Sequence, residues 1–365
     1  MIQWRPAVIE GVRSRWAGAV EYAAELASGD TVRALGYSDI VGDLPAGARV
    51  LLNTTALERG LGTGGVAIVV AAPEHLPEPV DVRAFDGHLV KARYTPGQTM
   101  VLGVDEQGSP NHELLRDADD LGGMPVVVAD LHSALPAIIA GLRESAPDAR
   151  VAYVMTDGGA LPADFSRTVS GLRESEWLEA CITVGQAYGG DLEAVNVHTG
   201  LLAAHLVVGA DVAVVAQGPG NLGTGTRWGF SGTSAGEAVN AAGVLGGRPI
   251  ASLRVSEADR RPRHRGLSHH SATAYGRVAL VPAAVPVPDL TEDLALYVHS
   301  QARALCDSTG GRLTLVEVGC DGLDDALRAT PVPLSTMGRG FDDDRLSFLT
   351  AAVAGRHAAS LIQPH

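Results

Sequence analysis

The sequence predicts an α/β protein in which a small all-β, barrel-like domain precedes a doubly wound, mostly parallel sheet. Two observations indicate this fold. In residues 1–105, short β-rich runs alternate with Gly, Pro or Asp, a pattern typical of small barrels and sandwiches. From residue 124 onward, buried apolar runs alternate with helical patterns, as in the βα units of a parallel sheet. The polar, carboxylate-rich residues 106–123 form the predicted linker, and residues 124–365 form the predicted Rossmann-like domain.

Short runs rich in β-forming residues account for the predicted N-terminal domain. Each is bounded by residues that favour turns. The runs are residues 7–10, 31–35, 49–53, 66–70, 89–93 and 100–104. The glycine-rich residues 60–65 lie between two of these runs and are predicted to form a hairpin turn.

The second domain is predicted from alternating apolar and amphipathic segments. The predicted strands are residues 125–129, 151–155, 180–184, 211–215, 249–253, 277–281 and 313–317. The predicted helices are residues 133–144, 165–173, 192–208, 234–245, 290–306, 323–328 and 343–361. The proline-rich residues 281–288 are predicted to be an extended crossover along the rim of the sheet.

Composition and charge exclude several classes of function. The 365 residues suffice for two domains with a sizeable core, without disulfides or a structural metal. A net charge of −14 argues against nucleic acid or an anionic membrane as a partner, since both require clustered cations. Lys91 is the only lysine, so a Walker-type phosphate loop or Schiff-base chemistry would have to use it. Because Lys91 falls in a predicted strand of the β-domain, we expect neither.

Cysteine usage and hydropathy suggest a location for the protein. The three cysteines, Cys181, Cys306 and Cys320, form an odd and widely spaced set, which is typical of reduced cytoplasmic proteins. The first residues lack the apolar core of a secretory signal. No apolar run reaches the ~20 residues that a membrane-spanning helix requires. The sequence therefore predicts a cytoplasmic protein, and it leaves homo-oligomer formation open.

Polar residues follow the predicted strands of the second domain, where an open parallel sheet binds its ligands. Asp130 and His132 follow the first strand, Asp157 the second, Gln186 the third and Glu257 the fifth. If the strands align, these side chains meet at one edge of the sheet. The alternative is that they cap helices and form turns.

A glycine-rich loop follows the fourth predicted strand. Residues 218–223 match the GxGxxG pattern, but glycines continue beyond it where a dinucleotide-binding fold would already be helical. The broader interpretation is an anion site built from backbone amides, hydroxyl groups and an arginine, and the alternative is a purely structural loop. The candidate ligand-binding residues in this loop are Gly218, Gly220, Gly223, Thr224, Gly225, Thr226 and Arg227.

Residues 232–236 match the GxSxG pattern of a serine hydrolase. The pattern requires a strand that ends at its first glycine, whereas Ser234 is predicted to begin a helix. A helix-capping role is therefore the main interpretation. A serine hydrolase remains an alternative, because an acid (Glu257 or Asp259) and a histidine follow in the order that such an enzyme uses.

Residues 257–273 concentrate arginines and histidines in an otherwise acidic protein. Such a segment beside the polar edge of the sheet would attract an acidic ligand. We assign His264 and Arg265 to ligand binding, and His269 and His270 to acid/base or metal-ligand roles. No HExxH or CxxC pattern identifies a metal or cofactor, so both stay open. The alternative is a solvated loop whose arginines pair with carboxylates.

Several long motifs resemble one protein family. They include YVMTDGGALP at residues 153–162, GQAYGGDLEAVN at 185–196, GTGTRWGFSG at 223–232 and RPRHRGLSHH at 261–270, together with residues 49–56 and 61–65. The chain resembles, over nearly its whole length, a mostly actinobacterial family catalogued only as a domain of unknown function. The resemblance implies no activity.

The residues together favour an enzyme that acts on a small anionic molecule bearing phosphate or carboxylate, with hydrolysis as the candidate reaction. In this hypothesis the glycine loop and Arg227 hold the anion. Acid/base or metal-ligand groups come from Asp130, His132, Asp157, His269 and His270. The alternative is a non-catalytic metabolite-binding or regulatory protein that uses the same pocket.

Overall fold

The computed structural model describes residues 1–61 and 64–363, which fold as two compact units. Residues 62 and 63 of the predicted turn at 60–65 lie outside the described residues. The smaller unit contains Met1–Asp86, Ala92–Thr99 and Asp164–Ser170, and the larger unit contains Gly87–Lys91, Met100–Ala163 and Gly171–His365. Lys91, which the sequence placed in the β-domain, therefore belongs to the larger unit.

The smaller unit is built on a closed five-stranded barrel, which confirms the predicted barrel-like fold. Its strands are β1 (Trp4–Trp16), β2 (Ala19–Leu26), β3 (Thr31–Tyr37), β4 (Arg49–Asn53) and β5 (Ala67–Ala71), with short helices α1 (Ser38–Val41) and α2 (Thr55–Glu58). The strands close in the order β1-β2-β3-β5-β4. The sequence missed β2 because its alanines and glutamates favour a helix when judged without their partners.

The larger unit contains an eight-stranded, all-parallel sheet, as the sequence predicted. Two small sheets pair β6 (Leu89–Lys91) with β7 (Thr99–Val101), and β14 (Val255–Ser256) with β15 (Gly266–Leu267). The strands of the main sheet are β8 (Pro125–Val128), β9 (Val151–Thr156), β10 (Ala180–Thr183), β11 (Leu192–Glu193), β12 (Val212–Gln217), β13 (Arg248–Ala251), β16 (Ala283–Pro288) and β17 (Leu313–Val318). They are arranged in the order β11-β10-β9-β12-β8-β13-β16-β17.

Helices cover this sheet in two packed groups. The helices of the larger unit are α3 (His112–Leu115), α4 (Leu135–Ser145), α6 (Val197–Leu206), α7 (Ser234–Val244), α8 (His269–Thr273), α9 (Asp293–Asp307), α10 (Leu323–Arg328) and α11 (Arg345–Ala359), whereas α5 (Arg167–Glu174) begins in the smaller unit. Helix α11 packs against α4 and α10, whereas α7 packs against α6, β8 and β13. Within the described residues, no helix has both the length and the apolar character needed to cross a bilayer.

One predicted strand and one predicted crossover are wrong, and the helix predicted at residues 192–208 begins only at Val197, because Leu192–Glu193 form β11. Residues 277–281 are not a strand, because Ala274–Val278 form a π-helical turn packed against α7. The proline-rich segment is itself strand β16. Its pairing with β13 is confined to Ile250 and Ala284, so the even-numbered Pro286 and Pro288 lie where no N–H group is needed. The N–H groups of the odd-numbered residues can therefore point toward β17, as that of Ala283 does when it donates to the carbonyl of Arg312.

The strand order creates a crevice at one point of the sheet. From β8 the chain proceeds to β9 on one side, and from β12 it proceeds to β13 on the other, although β8 and β12 are neighbours. Since such crossovers are right-handed, the helices after β8 and β12 lie on opposite faces of the sheet. Ligands bind at this kind of reversal point, beyond the carboxyl ends of the strands.

Candidate functional site

Asp130, at the carboxyl end of β8, lies at the reversal point. Its backbone carbonyl accepts a 2.8 Å hydrogen bond from Nε2 of Gln217, the last residue of β12. Its side chain is 3% exposed, and its Oδ2 atom accepts no hydrogen bond among the described residues. This oxygen is 3.5 Å from Nδ1 of His270 and 3.7 Å from Nη1 of Arg254. Because an unsatisfied buried carboxylate oxygen is costly, its position requires an explanation.

The basic segment folds onto this crevice through a short helix. Ser268 is the N-cap of α8, and its hydroxyl oxygen accepts a hydrogen bond from the backbone N–H of His270. The same hydroxyl is 2.8 Å from Nδ1 of His264. One serine thus fixes two histidines that are six residues apart.

His264, His269 and His270 form a compact cluster. The centroids of their rings are 4.4 to 4.9 Å apart. One ligand nitrogen from each ring lies within 4.8 Å of the others, and this is the group among the described residues that could hold a metal ion. His264 and His270 are buried, whereas His269 is half-buried.

The glycine-rich loop supplies a buried aromatic ring to this cluster. Phe230 stacks on His270 with a centroid separation of 3.8 Å and an angle of 4° between the rings. Phe230 also forms a β-bridge with Gly223, which closes the loop between them. The structure therefore brings the predicted anion loop and the predicted histidines together.

Burial and neighbouring cations keep two of these histidines neutral. Burial, reinforced by the charges of Arg254 and Arg261, lowers the pKa of His264 to about 3. Burial also lowers the pKa of His269, with further contributions from His270 and Arg263. At neutral pH both rings therefore keep an unprotonated nitrogen, the form that accepts hydrogen bonds and binds metals.

Arg254 is a site residue that the sequence reading missed. Its side chain is 10% exposed, and its Nη1 atom lies 3.1 Å from Nδ1 of His270. Its backbone N–H donates to Oγ of Ser271 at 2.8 Å, which ties it to α8. The signal was its position directly after the predicted strand at residues 249–253, three residues beyond the end of β13.

An ion pair anchors Arg261 of the basic segment, and buried Asp344 holds Ser256 just before it. Arg261 pairs with the buried carboxylate of Asp259 at 2.7 Å, and this contact lowers the pKa of Asp259. Buried Asp344 accepts hydrogen bonds from Oγ of Ser256 at 2.6 Å and from Nε of Arg339 at 2.8 Å. Arg261 therefore follows the alternative stated in the sequence analysis, in which arginines of this segment pair with carboxylates.

The hydroxyl groups of the glycine loop bond within the loop. The Oγ1 atoms of Thr224 and Thr226 are 3.1 Å apart, and that of Thr226 accepts the N–H of Gly229. Both threonines and Arg227 are exposed. A Cβ atom at Gly225 would lie 3.8 Å from Nη2 of Arg263, so this arginine lies against the loop. Binding of an anion by Gly218, Gly220, Gly223 and their neighbours stays a prediction.

Three other predicted residues lie outside the histidine cluster. The ring of His132 is buried, with Nδ1 3.0 Å from the hydroxyl of Tyr153. Asp157 accepts the backbone N–H of Gln186 at 2.8 Å, which links the ends of β9 and β10. Neither His132 nor Asp157 belongs to a group of potential metal ligands in the part of the chain that the structure describes.

The remaining candidates have structural or solvent-exposed positions. Glu257 accepts the backbone N–H of Leu346 at 3.1 Å and thereby caps the first turn of α11. Arg265 is exposed. Ser234 begins α7, as predicted, but its predicted helix-capping role is wrong, because Thr233 occupies the N-cap position and the Ser234 hydroxyl donates to the carbonyl of Ser231 at 3.1 Å.

The burial of His132 predicts a pH-dependent stability. Burial lowers the pKa of His132 from 6.5 to about 4. Between these values the unfolded chain binds a proton that the folded chain does not, so acid favours unfolding. We expect the His132→Gln variant to lose roughly 3 kcal/mol less free energy of unfolding than the wild type between pH 7 and 4.

Urea denaturation at both pH values measures this difference. His198→Gln, which changes an exposed histidine, is the matched control and should leave the pH dependence unchanged. An identical loss in wild type and His132→Gln would contradict the expectation.

The fold and the site define an α/β protein with a histidine cluster and a buried carboxylate at the point where its parallel sheet reverses direction. Residues 33–355 match the model of a family described as "Protein of unknown function (DUF3866)". The chain therefore belongs to this family, which confirms the resemblance to a domain of unknown function. No curated protein matches the chain.

Proposed function

We propose that this protein is an enzyme that acts on a small anionic substrate, bearing phosphate or carboxylate, in the crevice between β8 and β12. The observation that carries the proposal is the buried Asp130 Oδ2 atom, which has no hydrogen bond although His270 and Arg254 are within 3.7 Å. An unsatisfied buried carboxylate oxygen beside a histidine and an arginine, at the reversal point of a parallel sheet, is the kind of arrangement found at active sites.

Asp130 and His270 supply the acid/base chemistry in this proposal. In this proposal the substrate draws the guanidinium of Arg254 away from Nδ1 of His270, so that Nδ1–H donates to Asp130 and Nε2 is free to take up a proton. The 3.5 Å separation between Asp130 Oδ2 and His270 Nδ1 would shorten on binding of substrate, as catalytic hydrogen bonds often do. Phe230 restricts the orientation of the His270 ring, because it stacks directly on it.

Arginine side chains supply the attraction for an anion. Arg254 is nearly buried beside His270, and Arg263 lies against Gly225 of the exposed glycine loop. A guanidinium group binds phosphate and carboxylate through paired hydrogen bonds, which are strongest where water is excluded. Hydrolysis is the candidate reaction, since a general base beside an anion site can activate water. We place this activity in the cytoplasm, with neither nucleic acid nor a membrane as partner.

A ligand screen with one arginine variant tests the proposal. Phosphorylated and carboxylated metabolites are screened for an increase in melting temperature, and the affinity of each hit is measured by calorimetry. We expect Arg254→Gln to weaken binding by about 10- to 100-fold, because a charge-assisted hydrogen bond contributes roughly 1.5–3 kcal/mol. Asp130→Asn should bind the hit but abolish its turnover.

Arg303→Gln is the matched control, since it removes an exposed arginine on α9 that pairs with Glu317. Equal affinities in Arg254→Gln and Arg303→Gln would overturn the assignment of the site. Saturable binding without turnover in the wild type would instead support the metabolite-binding alternative.

A further inference from the structure

We infer that His264, His269 and His270 bind a divalent transition-metal ion such as Zn²⁺, with a fourth position open to solvent or substrate. The inference deepens the proposed function and rests on the same crevice, because the ion would supply a Lewis acid beside the anion site. Three histidines with one open position form a ligand set found in catalytic zinc sites.

The hydrogen bonds of the rings leave one nitrogen of each available to a metal. His264 directs Nδ1 to Ser268, and His270 directs Nδ1 to Arg254 and Asp130. Nε2 is therefore the nitrogen of both rings that points away from these partners. The Nε2 atom of His269 is buried and has no hydrogen-bond partner among the described residues. A buried ring nitrogen without a partner is an unusual cost, and ligation of a metal would remove it.

The spacing of the nitrogens suits a transition metal after a small contraction. Tetrahedral zinc with Zn–N bonds of ~2.1 Å places its ligand nitrogens about 3.4 Å apart. The three ligand atoms already lie within 4.8 Å of one another. Imidazole nitrogens favour zinc, copper, nickel or iron, whereas magnesium and calcium require oxygen ligands.

Asp130 provides an independent observation that points to the same ligand. Its side chain is 97% buried, with Oδ2 unsatisfied and 3.5 Å from Nδ1 of His270. Arg254 can only donate, so Nδ1 of His270 accepts its hydrogen bond and a ring proton is on Nε2. Ligation through Nε2 moves this proton to Nδ1, where it can bond to Asp130.

The move of the ring proton to Nδ1 gives both neighbours of that atom, Asp130 and Arg254, a role. Asp130 would complete the carboxylate–histidine–metal arrangement that orients many metal ligands. Arg254 would lose its acceptor on the ring and become available to an anion at the open metal position. Half-buried His269 is the ligand nearest to solvent, which indicates the side from which an ion enters.

Titration of the metal-free, full-length protein with Zn²⁺ tests the inference. We expect one ion per chain, with a Kd below about 1 μM. His269→Gln should weaken binding by at least ~100-fold through the loss of one ligand, and Asp130→Asn by about 10- to 100-fold through the loss of its support. His299→Gln, which alters a histidine that pairs with Glu317, is the matched control and should bind like the wild type.

Co²⁺ substitution gives a second measurement on the wild-type protein, which does not depend on the folding of any variant. Four-coordinate Co²⁺ absorbs strongly in the visible range, whereas adventitious six-coordinate Co²⁺ absorbs weakly. Weak absorption, the absence of stoichiometric Zn²⁺ binding, or equal affinity in His269→Gln and wild type would each overturn the inference.

The outcomes separate this inference from the proposed function. An anion that stabilises the metal-free protein, and loses affinity in Arg254→Gln, would keep the proposed function although the metal inference fails. Stoichiometric Zn²⁺ with no anion binding or turnover would keep the metal site and overturn the proposed function.

Discussion

Replacement of Lys91 by methionine is expected to lower the free energy of unfolding by about 3–5 kcal/mol. Lys91 is 2% exposed, and its ammonium group donates to the carbonyls of Ala187 and Ala194 at 3.0 and 2.9 Å. It also lies 3.5 Å from Oε2 of Glu193. Methionine keeps the volume of the side chain, but it leaves two carbonyls and a carboxylate without their buried donor.

The direction of the pKa shifts shows why the ion pair of Lys91 and Glu193 is sensitive to the loss of one partner. Burial lowers the pKa of Lys91 and raises that of Glu193, so each charge depends on the other. Glu193 keeps two other donors, the hydroxyl of Thr183 and the N–H of Gly189. These bonds do not replace the lost cation, because both donors are neutral.

Urea denaturation of Lys91→Met, and of the double variant Lys91→Met/Glu193→Gln, measures the effect. The double variant should recover part of the loss, since it removes the unpaired carboxylate. A single variant as stable as the wild type would show that the contacts of Lys91 add nothing to stability.

Replacement of Gly355 by alanine is the second change for which we expect a large loss of stability. Gly355 lies on α11, where an added Cβ atom would approach the carbonyl oxygen of Ile138 on α4 to 1.8 Å. Gly141 on α4 is equally close to α11, since its Cβ atom would lie 2.0 Å from the carbonyl oxygen of Ala352. The backbones of the two helices therefore meet at glycines, and neither can accept a methyl group without moving apart.

The expected loss is about 3 kcal/mol or more, the upper end of the cost of overpacking. Helix propensity alone favours alanine over glycine by about 1 kcal/mol, so the two effects have opposite signs. Thermal and urea unfolding of Gly355→Ala decide between them. Gly319→Ala is the control, because no atom lies within 4 Å of its added Cβ. A more stable Gly355→Ala protein would mean that α4 and α11 separate freely.

The sequence predicted most of the parallel sheet because its buried strands differ sharply from their surroundings. Strand β9 and helix α10 illustrate this, since an apolar run and an amphipathic run need no knowledge of their partners. The sequence did not predict β2 and β16 as strands, for a different reason. Alanines in β2 and prolines in β16 disfavour strands locally, and their neighbours in the sheet override that preference.

The candidate site was predictable where its residues follow a strand or cluster in the chain. Asp130 and the histidines of residues 264–270 were identified in this way, and the structure brings them together. His132 and Asp157 satisfied the same rule, but the structure directs them to Tyr153 and Gln186 instead. The contact of Phe230 with His270 depends on the path of a loop between distant elements, which composition and periodicity do not encode.

The burial of the single lysine makes the folded protein a reporter of its own local opening. Reagents that acylate side-chain amines can reach Lys91 only when β6 leaves its position, because its Nζ atom is enclosed by carbonyl groups. The labelling rate of Lys91, divided by that of a free lysine, therefore measures the equilibrium of that opening. For the same reason, enzymes that attach acyl groups or protein tags to lysine find no acceptor side chain on the native protein.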